Sequence, residues 1–136
     1  KKGEFYEKFD EAEASCNAAG AHLVGIHSAK EQEAVLEYLA DLMPGNSVKT
    51  EFWIGLHEDS EGTYEWTDGL PTSFMNLMSQ EDVELKDCVT MVYGGNTDYT
   101  GEWKMNHCYA ERTFICSAPY WEIVHPSSYS YSYSYF

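Results

Sequence analysis

Four cysteines, Cys16, Cys88, Cys108 and Cys116, are the residues best suited to covalent chemistry in this chain. No two of them form a C-x-x-C unit, and His107 directly beside Cys108 is badly placed to share one ion with it, so a zinc site has no close ligand pair to start from. The even count reads instead as two disulfides, for which arithmetic leaves three connectivities open. Disulfides persist in oxidising compartments, so the expected setting is secreted and extracellular.

Cation chemistry would need a group of hard oxygen ligands. Glu81, Asp82, Glu84 and Asp87 are the densest carboxylates on a stretch without periodicity, and a non-standard calcium site there competes with a solvated acidic loop, the usual fate of a charge run. The solvated loop is the preferred reading. Asn96-Thr97-Asp98-Tyr99-Thr100-Gly101 imitates the start of a calcium-binding loop, but its twelfth position is His107 rather than a bidentate Glu, and no helices flank it. Glu58-Asp59-Ser60-Glu61 reads as an exposed turn. Catalytic chemistry finds little footing. There is no G-x-S-x-G, P-loop or H-E-x-x-H string, Ser28 beside His27 reads as a helix cap, and the five His are scattered. The chain is read as a non-enzyme, with no cofactor assigned.

A third kind of chemistry is association. Ser127–Phe136 is low in complexity and carries no charge. Its period of two sets Tyr129, Tyr131, Tyr133 and Tyr135 on one side of an extended strand and the serines on the other. A flat, uncharged aromatic edge invites pairing with another strand, and a mobile or O-glycosylated tail is the competing reading. The expectation is a strand added to a neighbouring copy, giving a homo-oligomer or, if the contact does not close, a fibre.

These groups need a scaffold. Lys1 to Phe9 reads as an edge strand. Phe9, Ala12, Cys16 and Ala19 recur at helical spacing, and Gly20 is a stop, which predicts a helix over 10–19. Leu23, Val24 and Ile26 form a brief extended link. Ser28-Ala29-Lys30-Glu31 is a capping box for a second helix with Val35, Tyr38, Leu39 and Leu42 as its buried stripe and Pro44-Gly45 as its end. Strands are predicted at 52–56, around Tyr64 and Trp66 with Asp68-Gly69 as the turn, at 88–93 and at 114–117. Residues 70–86 have no clear period and read as a long loop. Two helices followed by runs of strands predict an α+β domain.

The balance of 8 Lys+Arg against 23 Asp+Glu, formally −15, makes nucleic acid and anionic membrane surfaces poor partners. No apolar run approaches the length of a membrane span, so no membrane insertion is expected. The opening Lys1-Lys2-Gly3, without Met or a signal peptide, is what a processed fragment would show.

The residues in series resemble the C-type lectin-like domain, in its short form with four Cys. The resemblance runs from about Phe9 to Cys116. It rests on Phe9-x-x-Ala12-x-x-x-Cys16, on Gly20-Ala21-His22-Leu23-Val24-x-Ile26-x-Ser28-x-x-Glu31, on Trp53-Ile54-Gly55-Leu56, on Glu61-Gly62-Thr63-Tyr64-x-Trp66-Thr67-Asp68-Gly69, and on Cys88, Cys108 and Phe114-Ile115-Cys116 in order. It implies two helices packed on small antiparallel sheets with a long irregular loop, and the pairs Cys16–Cys116 and Cys88–Cys108. Trp53 and Trp66 read as core.

The resemblance also implies where a calcium–sugar site would lie. The family's Glu-Pro-Asn or Gln-Pro-Asp has no counterpart between Asn76 and Cys88, where no Pro occurs and Lys86 stands where a ligand carboxylate would help. The family's Trp-Asn-Asp is Trp103-Lys104-Met105 here, so a lysine brings positive charge to a cation site. Binding without calcium is therefore expected. The expected organisation is a domain over 1–119 and a Tyr/Ser-rich tail over 120–136. The expected function is recognition of a glycan or an extracellular protein, with Tyr93, Tyr99, Trp103 and Asn106 as ligand contacts and the tail tyrosines as the self-association element. Two other expectations stand beside it: a structural subunit of an extracellular matrix or fibre, and an unconventional calcium-dependent carbohydrate-binding lectin.

Overall fold

A computed structural model describes residues 6–43, 48–77, 87–95, 100–119 and 131–135, with backbone alone for 118, 119 and 131–135. Helix α1 spans Phe9–Ala18 and buries Phe9, Ala12 and Cys16. Asp10 and Glu11 lie in its first turn, where carboxylates meet the positive end of the helix dipole. Gly20, at φ +81°, takes the left-handed conformation that ends the helix. The edge strand expected before α1 reduces, among the described residues, to one bridge between Glu7 and Arg112.

Helix α2 spans Ala29–Leu42. The Ser28 hydroxyl accepts from the Glu31 N–H at 3.1 Å, as expected of a cap. Glu31 reaches back one residue further than a capping box would, accepting from the His27 N–H at 3.0 Å. The buried stripe is Gln32, Val35 and Leu39, while Leu42, expected inside, is 40% exposed. The expected end of the helix at Pro44-Gly45 lies outside the described residues.

Among the described residues seven strands pair into one sheet, five along the path β1-β6-β2-β4-β5, with β3 paired to β2 and β7 to β6. They are β1 (His22–Leu23), β2 (Thr50–Glu58), β3 (Tyr64–Trp66), β4 (Cys88–Tyr93), β5 (Trp103–Asn106), β6 (Thr113–Pro119) and β7 (Tyr131–Tyr135). Pairing is antiparallel except between β2 and β6, which run parallel at Phe52↔Thr113 and Trp53↔Phe114. That one pair corrects the wholly antiparallel expectation. The register of β2 against β4 shifts between Trp53 and His57. Gly55 sits inside this irregularity, and a Cβ there would come within 2.9 Å of the Leu23 carbonyl oxygen and 2.7 Å of Thr67 Oγ1. Only glycine lets the Val24 backbone reach the strand, where the Gly55 N–H donates to the Val24 carbonyl at 2.9 Å.

The pleat divides the apolar residues between two cores. Phe52, Ile54 and Leu56 of β2 join Val89, Met91, Trp103 and Met105 under α2. Trp53 joins Phe9, Phe114 and three of the four cysteines under α1. Both Trp53 and Trp66 are core, as expected. The disulfides are Cys16–Cys116 and Cys88–Cys108, closing separations of 100 and 20 residues. No described helix is long and apolar enough to cross a membrane.

The tail contributes β7, which lies antiparallel on β6 of the same chain. Tyr131, Tyr133 and Tyr135 are register partners of Pro119, Ser117 and Ile115, and Ser132 and Ser134 of Ala118 and Cys116.

Candidate functional site

Strand alternation decides what β5 offers a ligand. Trp103 and Met105 are buried in the core at 0% and 3% exposure. The Trp103 ring meets Trp66 edge-on at 5.5 Å and Phe74 at 5.7 Å, and its N–H donates to Gln32 Oε1 at 3.1 Å. Trp103 is thus a core residue and not a surface anchor, a correction to the expected ligand set. Asn106 corrects it again. It is 7% exposed, its amide N–H₂ donates to Glu51 Oε1 at 2.8 Å and Thr90 Oγ1 at 2.9 Å, and its carbonyl oxygen accepts from Arg112 at 3.1 Å. Tyr93 is half-buried at the end of β4, packed against the α2 core. Tyr99 lies outside the described residues, as do Tyr129, Glu81, Asp82 and Glu84. Among the described residues, Trp103 and Asn106 are buried, and only Tyr93 of the expected contacts is partly exposed.

What it assembles on the other side of β5 is a charge cluster. Glu51, on β2, is only 12% exposed in its side chain. Lys104 Nζ lies 3.2 Å, Arg112 Nε 3.6 Å and Lys49 Nζ 3.9 Å from its carboxylate oxygens. Burial works to raise the Glu51 pKa. The hydrogen bonds from Asn106 and Lys104 and the charges of Lys104 and Arg112 outweigh it and hold the group below its ordinary value. Three of the chain's 8 basic residues thus converge on one carboxylate, in a protein of formal charge −15. Sequence reasoning missed this cluster because its members come from three separate segments, 49–51, 104–106 and 112.

Two further features frame the domain. An open cleft of about 770 Å³ runs between the start of α1, the end of β2 and the Cys88–Cys108 bridge. Phe9, His57, Glu58, Asp87 and His107 line it, and Tyr109, 82% exposed, stands on its wall. At the root of the long loop, His27 Nε2 and Asp68 Oδ2 are 2.7 Å apart, both mostly buried. Burial alone would lower the His27 pKa, but the hydrogen bond and charge of Asp68 reverse this and raise it. Asp68 is held low against its own burial by His27 and by the Leu70 N–H.

Cation chemistry at the strand has few oxygens to use. Lys104 is committed to Glu51, and Met105 accepts only a weak hydrogen bond from the Tyr64 hydroxyl at 3.8 Å. Among the described residues, no group of three or more His, Cys, Asp or Glu could hold a metal ion.

A family model described as lectin C-type domain matches residues 6–118. The chain is 29% identical to human layilin over 124 residues, which cover 79% of this chain and 32% of layilin. It is 32% identical to echinoidin of Heliocidaris crassispina over 106 residues, 74% of this chain and 69% of that protein. The chain thus spans about a third of layilin, and a still smaller share, 6%, of human lymphocyte antigen 75. Among solved structures, the carbohydrate-recognition domain of mouse scavenger receptor C-type lectin superposes with a TM-score of 0.64 at 26% identity, covering 82% of this chain and 80% of that one. A calcium-independent type II antifreeze protein superposes with a TM-score of 0.64 at 27% identity, covering 82% and 78%.

Proposed function

Because the chain belongs to the lectin C-type domain family, we propose that it acts as an extracellular recognition domain that takes a glycan or protein ligand without calcium. Its role is non-enzymatic, as is typical of the family. The observation that carries the calcium-independent reading is Lys104. It occupies the place where the sugar-binding members bring an asparagine oxygen, and it is held there by Glu51 at 3.2 Å. Recruiting calcium to that strand would mean bringing a divalent cation beside a fixed ammonium group, which Coulomb repulsion opposes. The likeness to a calcium-independent antifreeze protein supports the same reading. Two covalent bridges and the family's frequent extracellular placement support secretion.

Tyr93 and Tyr99 remain the aromatic contacts proposed for the ligand, now without Trp103 and Asn106. The tail, through Tyr129, Tyr131, Tyr133 and Tyr135, is proposed to drive self-association. Its uncharged Ser/Tyr alternation also favours a second reading, a structural subunit of an extracellular matrix or fibre.

The experiment is a glycan and extracellular-protein array run in calcium and again in chelator, with calorimetry of calcium alone. Equal binding in both buffers and no calcium heat is the expected result. Binding that vanishes in chelator, or a defined calcium stoichiometry, would replace this reading with that of an unconventional calcium-dependent lectin. Electron micrographs of the protein without ligand separate a fibre subunit from a soluble binder.

A further inference from the structure

Strand β6 is paired along both edges over Cys116 and Ser117. Leu23 and His22 of β1 lie on one side, and Ser134 and Tyr133 of β7 on the other. The β1 side is locked into the fold, since the neighbouring Val24 N–H donates to the Ile115 carbonyl at 2.8 Å and Cys116 is bridged to Cys16. The β7 side is held by a segment that joins the domain only through residues 120–130. Take β7 away and β6 loses its ladder partner from Ile115 to Pro119, and the backbone groups that faced β7 become a ready template for another strand.

We infer that β6 is the acceptor edge for the tail of a second copy, and that β7 exchanges between its own β6 and a neighbour's. The inference rests on the self-association reading above and names its acceptor and its mechanism. A tail cannot add to a neighbour's β6 while that edge is filled, so association requires the closed chain to open. The occupant is argued from the strand already seated there. A second copy supplies the same Tyr131–Tyr135 sequence, which makes the same ladder in the same register at no loss of backbone hydrogen bonds. This is a domain swap, in which the interface of the assembly is the intrachain contact remade between chains.

Chain length permits it. Residues 120–130 could reach about 38 Å if extended, at roughly 3.5 Å per residue, so the tail can cross to an adjacent domain. The same arithmetic sets the balance. A short tether gives the chain's own tail an effective concentration on the order of millimolar. The closed form therefore dominates in dilute solution, and exchange dominates when copies are concentrated or tethered. If each copy gives its tail to the one that returns it, the result is a dimer. If it gives to a third, the chain of exchanges stays open and becomes a filament.

Two experiments test this. The first pairs Ala118→Cys with Ser132→Cys, which are direct register partners. Monomer isolated from dilute solution should carry this bridge within one chain. Oligomer formed at high concentration and then oxidised should run at twice the chain mass or more on a non-reducing denaturing gel. An oligomer fraction that dissolves into single-chain bands overturns the exchange. The second removes Ser127–Phe136 and adds those ten residues back as a synthetic peptide. The shortened protein should bind the peptide at micromolar to millimolar concentration. The same peptide carrying Ser132→Pro and Ser134→Pro, which lacks two ladder N–H groups, should bind at least tenfold more weakly. No binding, or equal binding of the two peptides, overturns β6 as the acceptor. If the shortened protein still assembles as the full chain does, the self-association reading itself fails. If it is monomeric and ignores the peptide, only the acceptor edge is wrong.

Discussion

The indole N–H of Trp103 donates to Oε1 of Gln32 at 3.1 Å, while the other end of the same amide, Gln32 Nε2, donates to the Gly101 carbonyl at 2.5 Å. One buried side chain on α2 thus anchors the turn that leads into β5. An amide in an apolar stripe is costly unless both of its ends are satisfied, and here both are.

Replacing that amide tests the anchor. Gln32→Leu keeps the volume but leaves the Trp103 N–H and the Gly101 carbonyl without this partner inside the core. The expected loss is about 1–3 kcal/mol of unfolding free energy, read as a lower denaturant midpoint with an unchanged slope.

The His27–Asp68 pair should make stability depend on pH with a definite sign. The folded His27 pKa is raised above 6.5, so its contribution is complete below that value and is lost as pH rises through the folded pKa. The folded Asp68 pKa lies below 3.8, so its contribution is complete above that value and is lost as pH falls through the folded pKa. The pair therefore stabilises most between pH 3.8 and pH 6.5. Thermal melts carried from that window to higher pH should show a decline above pH 6.5 in the native protein and a shallower one in His27→Gln. Parallel curves would refute the coupling.

Glu51 gathers Lys49, Lys104 and Arg112, and Glu51→Gln leaves three cations facing one another. A destabilisation of about 1–3 kcal/mol at neutral pH is expected, below the range for a fully buried pair because the cations are partly solvated. Since the folded Glu51 pKa is below 4.5, its contribution disappears as pH falls through the folded value. Urea midpoints at pH 7 and pH 3 should therefore differ more for the native protein than for the variant.

The two bridges should not be equivalent. In the chain-entropy model, the 100-residue separation of Cys16–Cys116 is worth about 4.7 kcal/mol and the 20-residue separation of Cys88–Cys108 about 3.3 kcal/mol. Replacing both members of each pair by Ala should lower stability in that order. A larger loss at Cys88–Cys108 would mean that the base of the long loop matters more than tying α1 to β6.

Much of the fold was legible along the chain. The Ser28 cap, the Gly20 stop and the compact apolar run at 52–56 are local patterns, each readable within a few residues. The binding surface was not. Exposed aromatics were expected at Trp103, but β5 turns that side chain inward under α2. Asn106 was expected among the ligand contacts, whereas its partners Glu51, Thr90 and Arg112 come from other segments and hold it inside. Lys104 alternates with Trp103, so its outward side was inferable once the strand was placed.

By itself, the amino-acid order settled the two helices, the strands at 52–56, 88–93 and 114–117 and around Tyr64 and Trp66, the four bridging sulfurs and the family they belong to, but not β5. Periodicity, caps and half-cystine spacing act over short distances or through covalent bonds. The tertiary structure alone decided which face of β5 meets the core, that three cations share Glu51, and that the tail's first partner is its own β6. Those outcomes depend on which distant surfaces win the competition for burial and for strand edges, and no local pattern encodes the result of that competition.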